Sequence, residues 1–149
     1  MVPTTTTTTT VPTTQPPPAT AKTGTVYSTS ILPRRCVDVH SANTAPGTPV
    51  QGYDCNGTAA QSVTFTTAGT MQILGRCVQP QGSSVGALIV IGECAGGNAA
   101  QQWRVSSGAV RHLASGLCLG LPNADPANWI QLRLETCNGT MGQRWTTPL

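Results

Sequence analysis

The chain is poor in charge and in aromatic rings. Charged residues make up 9% of its 149 positions and aromatic residues 4%, six rings in all. Asp38, Asp54, Glu93, Asp125 and Glu135 are the whole carboxylate supply, and they stand in no recognisable pair, which argues against glycosidase chemistry. His40 and His112 lack His-x-x-x-His or Cys-x-x-Cys company, so the usual zinc spacings are missing. No nucleophile-elbow motif accompanies the serines. No catalytic residue, metal or cofactor is therefore expected. Seven Arg and one Lys give a net charge of +3, but apart from Arg34-Arg35 they are scattered singly and without aromatic interleaving, which argues against a nucleic-acid partner. The longest apolar stretch, Val85 to Ile91 with Gly86 inside it, is too short to cross a membrane.

Helical periodicity is missing as well. What is present instead is alternation: Val50 and Gly52, Val63 and Phe65, Ile89 and Ile91, and Leu132 and Leu134 each share one face of a strand with a residue of the other face between them. The domain reads as all-β, with hairpins joined by tight turns such as those at Asn56-Gly57 and Asn138-Gly139. Thr and Pro dominate residues 3 to 20, including an unbroken Thr run from Thr4 to Thr10. Such a tract buries nothing and favours extended backbone, so residues 1–24 read as a disordered linker and 25–149 as one folded domain. The tract suggests one end of a longer secreted protein.

Six cysteines counter a thin core, since only 38% of the chain is apolar. Each closed loop of this size is worth roughly 3 kcal/mol in the chain-entropy account, and three bridges imply an oxidising, extracellular setting. Their spacing is periodic. Cys36, Cys77 and Cys118 recur at steps of 41 residues, and Cys55, Cys94 and Cys137 follow them after 19, 17 and 19. Each unit closes with similar punctuation: Gln61-Ser62-Val63, Gln101-Gln102-Trp103 and Gln143-Arg144-Trp145. Three repeats of about 40 residues are too few for a propeller and suit a closed threefold barrel.

A C-[VL]-x-x opening, cysteines placed in this way and a closing Gln-x-Trp resemble the ricin B-type lectin domain, a β-trefoil also known as the family 13 carbohydrate-binding module, over roughly residues 31 to 148. The resemblance implies the pairs Cys36–Cys55, Cys77–Cys94 and Cys118–Cys137, and core roles for Trp103 and Trp145. Val63 departs from the pattern, with Phe65 available to fill the volume it leaves.

The resemblance also places a sugar site. The family sets an acid two residues after the first cysteine, a ring two before the second and a polar residue two earlier; the first repeat has Asp38, Tyr53 and Gln51 there. A ring stacks on the apolar face of a pyranose while a carboxylate takes its hydroxyls. The closing Gln61 contributes too; Ala60 replaces the family's Asn, leaving Asn56 to take over its bond, and His40 shares the strand face of Asp38. The second repeat has Gln79 and Gly92 at the acid and ring positions, and the third has Gly120 and Glu135. Trp129, beside Asn128 and Asp125 in a polar loop, either covers the barrel rim or offers a ring outside the family pattern. The implied protein is a secreted, monomeric, non-catalytic module that binds galactose, lactose, xylan or arabinan units and targets an attached hydrolase.

Overall fold

A computed structural model of the protein describes residues 15–149. Fourteen short strands form among them. The first repeat and its approach contain β1 (Lys22–Gly24), β2 (Tyr27–Ser28), β3 (Arg35–Val39), β4 (Val50–Asp54), β5 (Val63–Phe65) and β6 (Met71–Ile73). The second contains β7 (Arg76–Pro80), β8 (Ile89–Gly92), β9 (Trp103–Ser106) and β10 (Ala109–His112). The third contains β11 (Cys118–Gly120), β12 (Ile130–Gln131), β13 (Arg133–Glu135) and β14 (Trp145–Thr146). Helical structure among the described residues is limited to five single 3-10 turns of three residues, in keeping with the missing helical period.

The strands join into three antiparallel sheets, ordered β1-β5-β6-β7-β8, β13-β11-β10-β9 and β12-β4-β3-β2-β14. In the last, β14 pairs with β2, Trp145 opposite Ser28, which ties the end of the third repeat to the start of the first. The disulfides Cys36–Cys55, Cys77–Cys94 and Cys118–Cys137 form as expected, one per repeat, and no described cysteine is free.

The threefold beat of the cysteines becomes a threefold packing. Val50, Ile89 and Leu132 each lie five residues before their repeat's second cysteine, and all three are fully buried. There the repeats bond directly: Leu132 N–H donates to Val50 O at 2.9 Å and Ile89 N–H to Leu132 O at 3.0 Å. Around them a single core gathers Val37, Val78 and Leu119 from the opening strands with Trp103 and Trp145, each ring 2% exposed. The indoles donate to Val78 O at 2.9 Å and Leu119 O at 3.0 Å, which satisfies the polar edge of an otherwise apolar side chain. In the first repeat Val63 and Phe65 are both buried, as the alternation requires.

Two expectations need correction. The tight two-residue hairpins are Leu74-Gly75, between β6 and β7, and Ser107-Gly108, between β9 and β10, with all four residues at positive φ. Asn56-Gly57 and Asn138-Gly139 instead lead from β4 and β13 into the 3-10 turns that carry Gln61 and Gln143, so they join no paired strands. The barrel also starts before residue 25, because Lys22–Gly24 pairs with β5, and Pro16 and Pro18 line a small depression with Phe65 and Trp103. The Thr4 to Thr10 run lies outside the described residues.

Candidate functional site

In all three repeats the closing glutamine is buried and grips the peptide units on either side of the second cysteine. Gln61 Nε2 donates to Asp54 O at 2.7 Å while its Oε1 accepts from Asn56 N–H at 2.9 Å. Gln101 does the same with Glu93 O and Ala95 N–H, and Gln143 with Thr136 O and Asn138 N–H. Each Nε2 has one more bond to give, and here the repeats part company. Gln61 gives it to the Asp38 carboxylate at 2.9 Å, Gln101 to the Gln79 amide oxygen at 2.8 Å, and Gln143 to the Glu135 carboxylate at 3.2 Å.

In the first repeat Asp38 is 5% exposed, and Gln51, directly opposite it across the β3–β4 ladder, donates to its other oxygen at 3.0 Å. His40 Nδ1 in turn donates to Gln51 Oε1 at 3.0 Å. The carboxylate is thereby fixed from two sides, and each oxygen keeps a further lone pair for an incoming donor. Asp38, Gln51, Tyr53, Asn56 and Ala60 line a shallow cleft of about 390 Å³, together with Val39, Ser41 and Ala42. Tyr53 is half-buried and lines the cleft, and the combination of an apolar ring with a fixed acceptor suits a polyol. The oxygen of the Asn56 carboxamide is taken by Thr58, which leaves it an Nδ2 donor.

Of the residues singled out from the sequence, Asp38, Gln51, Tyr53 and Asn56 meet at this cleft. Gln61 stands behind Asp38 and outside the cleft wall, 1% exposed, in a positioning place. His40 is corrected: the strand ends at Val39, so His40 opens a 3-10 turn rather than continuing the face of Asp38, and it reaches the cleft only through Gln51.

One residue of the cleft belongs to another repeat. Trp129 sits on the loop before β12, which pairs with β4, and its ring lies 5.6 Å from that of Tyr53, centroid to centroid, tilted by 59°. In the sequence Trp129 belongs to the third repeat, and spacing along a chain does not say that β12 hydrogen-bonds to a strand some 80 residues earlier. Asn128 anchors the loop: its Oδ1 accepts from Asp54 N–H at 2.8 Å and Arg35 Nη1 at 3.1 Å, and its Nδ2 donates to Asp54 Oδ2 at 3.0 Å. The Asn128 bond, then the Arg35 ion pair, hold the Asp54 carboxyl below its ordinary value.

The other repeats lack this combination. In the second, Gln79 fills the space over Gly92, where a Cβ would collide with its amide. In the third, Glu135 folds over Gly120 and so brings a carboxylate to the closing glutamine from the opposite strand, but Arg133 Nε neutralises it at 2.9 Å and no ring accompanies it. No cluster of three metal-ligating side chains occurs among the described residues. No helix among them is long and apolar enough to cross a membrane.

Comparison with known proteins agrees with the fold. The ricin-type β-trefoil lectin domain profile matches residues 22–145. Nigrin b of Sambucus nigra is 33% identical over 113 residues, covering 74% of this chain and 20% of that protein. Among solved structures, the agglutinin of Abrus precatorius superposes with a TM-score of 0.76 at 22% identity, over 85% of this chain and 48% of that one. A non-toxic homologue of type II RIPs from Momordica charantia, in complex with α-methyl-D-galactoside, gives 0.74 at 29% identity, over 85% and 47%. The chain spans 15–20% of the length of the first curated relatives it matches.

Proposed function

The chain belongs to the ricin-type β-trefoil lectin family, and from that premise we propose that it is a non-catalytic saccharide-binding module whose working site is the first repeat. The observation that carries the assignment is the convergence of a fixed carboxylate, Asp38, with a half-buried ring, Tyr53, in one cleft. The ring takes the apolar face of a pyranose, Asp38 accepts from adjacent hydroxyls, and Gln51 and Asn56 complete the polar edge. His40 and Gln61 act behind these residues, on Gln51 and Asp38. The units recognised are galactose- or xylose-type, as in lactose, xylan or arabinan. The α-methyl-D-galactoside complex of the bitter-gourd relative supports the first of these.

The module works as a secreted monomer, and its Thr/Pro tract serves as a tether that holds an attached hydrolase near a polysaccharide or glycan surface. A shallow cleft with one acid and few polar contacts predicts Kd values of about 0.1 to 1 mM, roughly 4 to 5.5 kcal/mol. A second reading, a trefoil that has lost sugar binding and serves as a spacer or protein-interaction domain, draws on the loss of the site in the second and third repeats and on Ala60 in the first.

Titration of Asp38→Ala and Tyr53→Ala with galactose, lactose and xylo-oligosaccharides tests the assignment. Both variants should lose binding while remaining folded; Tyr53→Ala should melt close to wild type, and Asp38→Ala lower because the buried Gln51 and Gln61 donors lose their acceptor. Retained binding in both would place the site elsewhere, and a glycan array without any retained saccharide would favour the spacer.

A further inference from the structure

Trp129 occupies a position that the other repeats give to glycine. Gly47, Gly86 and Trp129 each lie eight residues before their repeat's second cysteine, and all three have left-handed backbone, φ +92°, +92° and +64°. Each N–H crosses to the neighbouring repeat's hairpin: Gly47 to Ile91 O at 2.7 Å, Gly86 to Leu134 O at 2.8 Å and Trp129 to Gly52 O at 3.1 Å. The turn therefore asks for glycine three times over and receives it twice. A Cβ placed on Gly47 or Gly86 meets nothing within 4 Å, so a side chain at this position stands in open space above the next repeat.

Folding gives no reason for an indole here. Left-handed backbone is unfavourable for a bulky L-residue, and a ring that stays 63% exposed gains little from burial. Exposed, strained and held by the Asn128 contacts with Asp54 and Arg35, Trp129 resembles a preorganised ligand contact. What it overhangs is the cleft of the first repeat, the one among the described residues that pairs a carboxylate with a ring. The two rings are already in tilted contact, too close to admit a sugar between them, so they form adjoining walls of a corner.

Resting on the first-repeat assignment above, we propose that Trp129 is a second stacking ring, which extends the cleft across the repeat boundary so that it takes two contiguous sugar units and selects oligosaccharides over monosaccharides. Tyr53 and Asp38 hold the first unit; Trp129 takes the apolar face of the next.

The test is titration of the wild-type chain, Trp129→Gly and Tyr53→Ala with methyl β-galactoside against lactose, and xylose against xylotriose. Trp129→Gly restores the residue of the other two repeats, so it should melt at or above the wild-type temperature. It should bind the monosaccharides within about twofold of wild type and the oligosaccharide of the preferred series about tenfold more weakly. Tyr53→Ala should lose both. Trp103 and Trp145 are buried, so acrylamide quenching reports Trp129, and the preferred oligosaccharide should protect it where the monosaccharide does not. Unchanged oligosaccharide affinity in Trp129→Gly, or an equal loss for mono- and oligosaccharides, would overturn the second ring while leaving the first-repeat site standing. Failure of the wild-type chain to bind any of the four sugars would overturn both.

Discussion

Gln61, Gln101 and Gln143 show how one residue type can be structural in every repeat and still touch function in one. Each is almost fully buried and holds the peptides beside the second cysteine, so truncation leaves two backbone groups and one side chain without a partner. Gln61→Ala and Gln101→Ala should each cost about 1–3 kcal/mol in urea denaturation. Gln61→Ala alone should also weaken saccharide binding, because only there is the third partner Asp38. His112 is the other residue whose environment decides its chemistry. Its Nε2–H donates to Ala100 O at 2.8 Å, its Nδ1 accepts from Ser115, and its ring packs on Trp103. Burial lowers its pKa below the ordinary 6.5, against the opposing effect of the Ala100 bond. The unfolded chain then takes up a proton in a range where the native chain does not. The stability this group contributes is complete above about pH 6.5 and is lost as pH falls from there to the folded-state pKa. An NMR titration should show His112 changing charge below 6.5, and the urea midpoint should decline over the same window.

Strand β5 illustrates substitution at the level of an element. The second repeat sets Trp103 and Val105 on one face of β9, large then small; the first sets Val63 and Phe65 on β5, small then large. Both orders fill the same inward face, since side chains two apart on a strand point the same way. Val63→Trp alone should overpack and cost about 1–3 kcal/mol, whereas Val63→Trp with Phe65→Val should recover most of that loss, as a double-mutant cycle in denaturant would measure. Alternation made these strands legible in advance, because one face of each meets the core. The turns were less legible: Asn-Gly is a strong hairpin signal, yet at Asn56 and Asn138 the chain runs into a 3-10 turn instead, since the bridge at Cys55 or Cys137 and the closing glutamine already govern its course.

Across the whole molecule, stability rests on three small cross-links and one shared core. The first cysteine of each pair is fully buried and the second lies nearer the surface, so each bridge pins a surface turn to the barrel. Replacing Cys77 and Cys94 together by serine should cost about 2–5 kcal/mol in chemical denaturation, with little effect on a saccharide site built in the first repeat. The spacing of the cysteines and the closing punctuation record the threefold repeat, hydrophobic alternation records the strands, and the family resemblance that they carry implies the pairing, because each repeat holds its own alternation and its own bridge. The family resemblance singled out Asp38, Gln51 and Tyr53, which lie within one repeat. Only the tertiary structure decided two further contacts: within the third repeat, that Glu135 folds over Gly120 to meet Gln143, and between repeats, that the loop of Trp129 closes over Tyr53. Local pattern records which face of a strand is buried, but a contact between residues 53 and 129 exists only once the hydrogen bonds between β12 and β4 have brought the third repeat against the first.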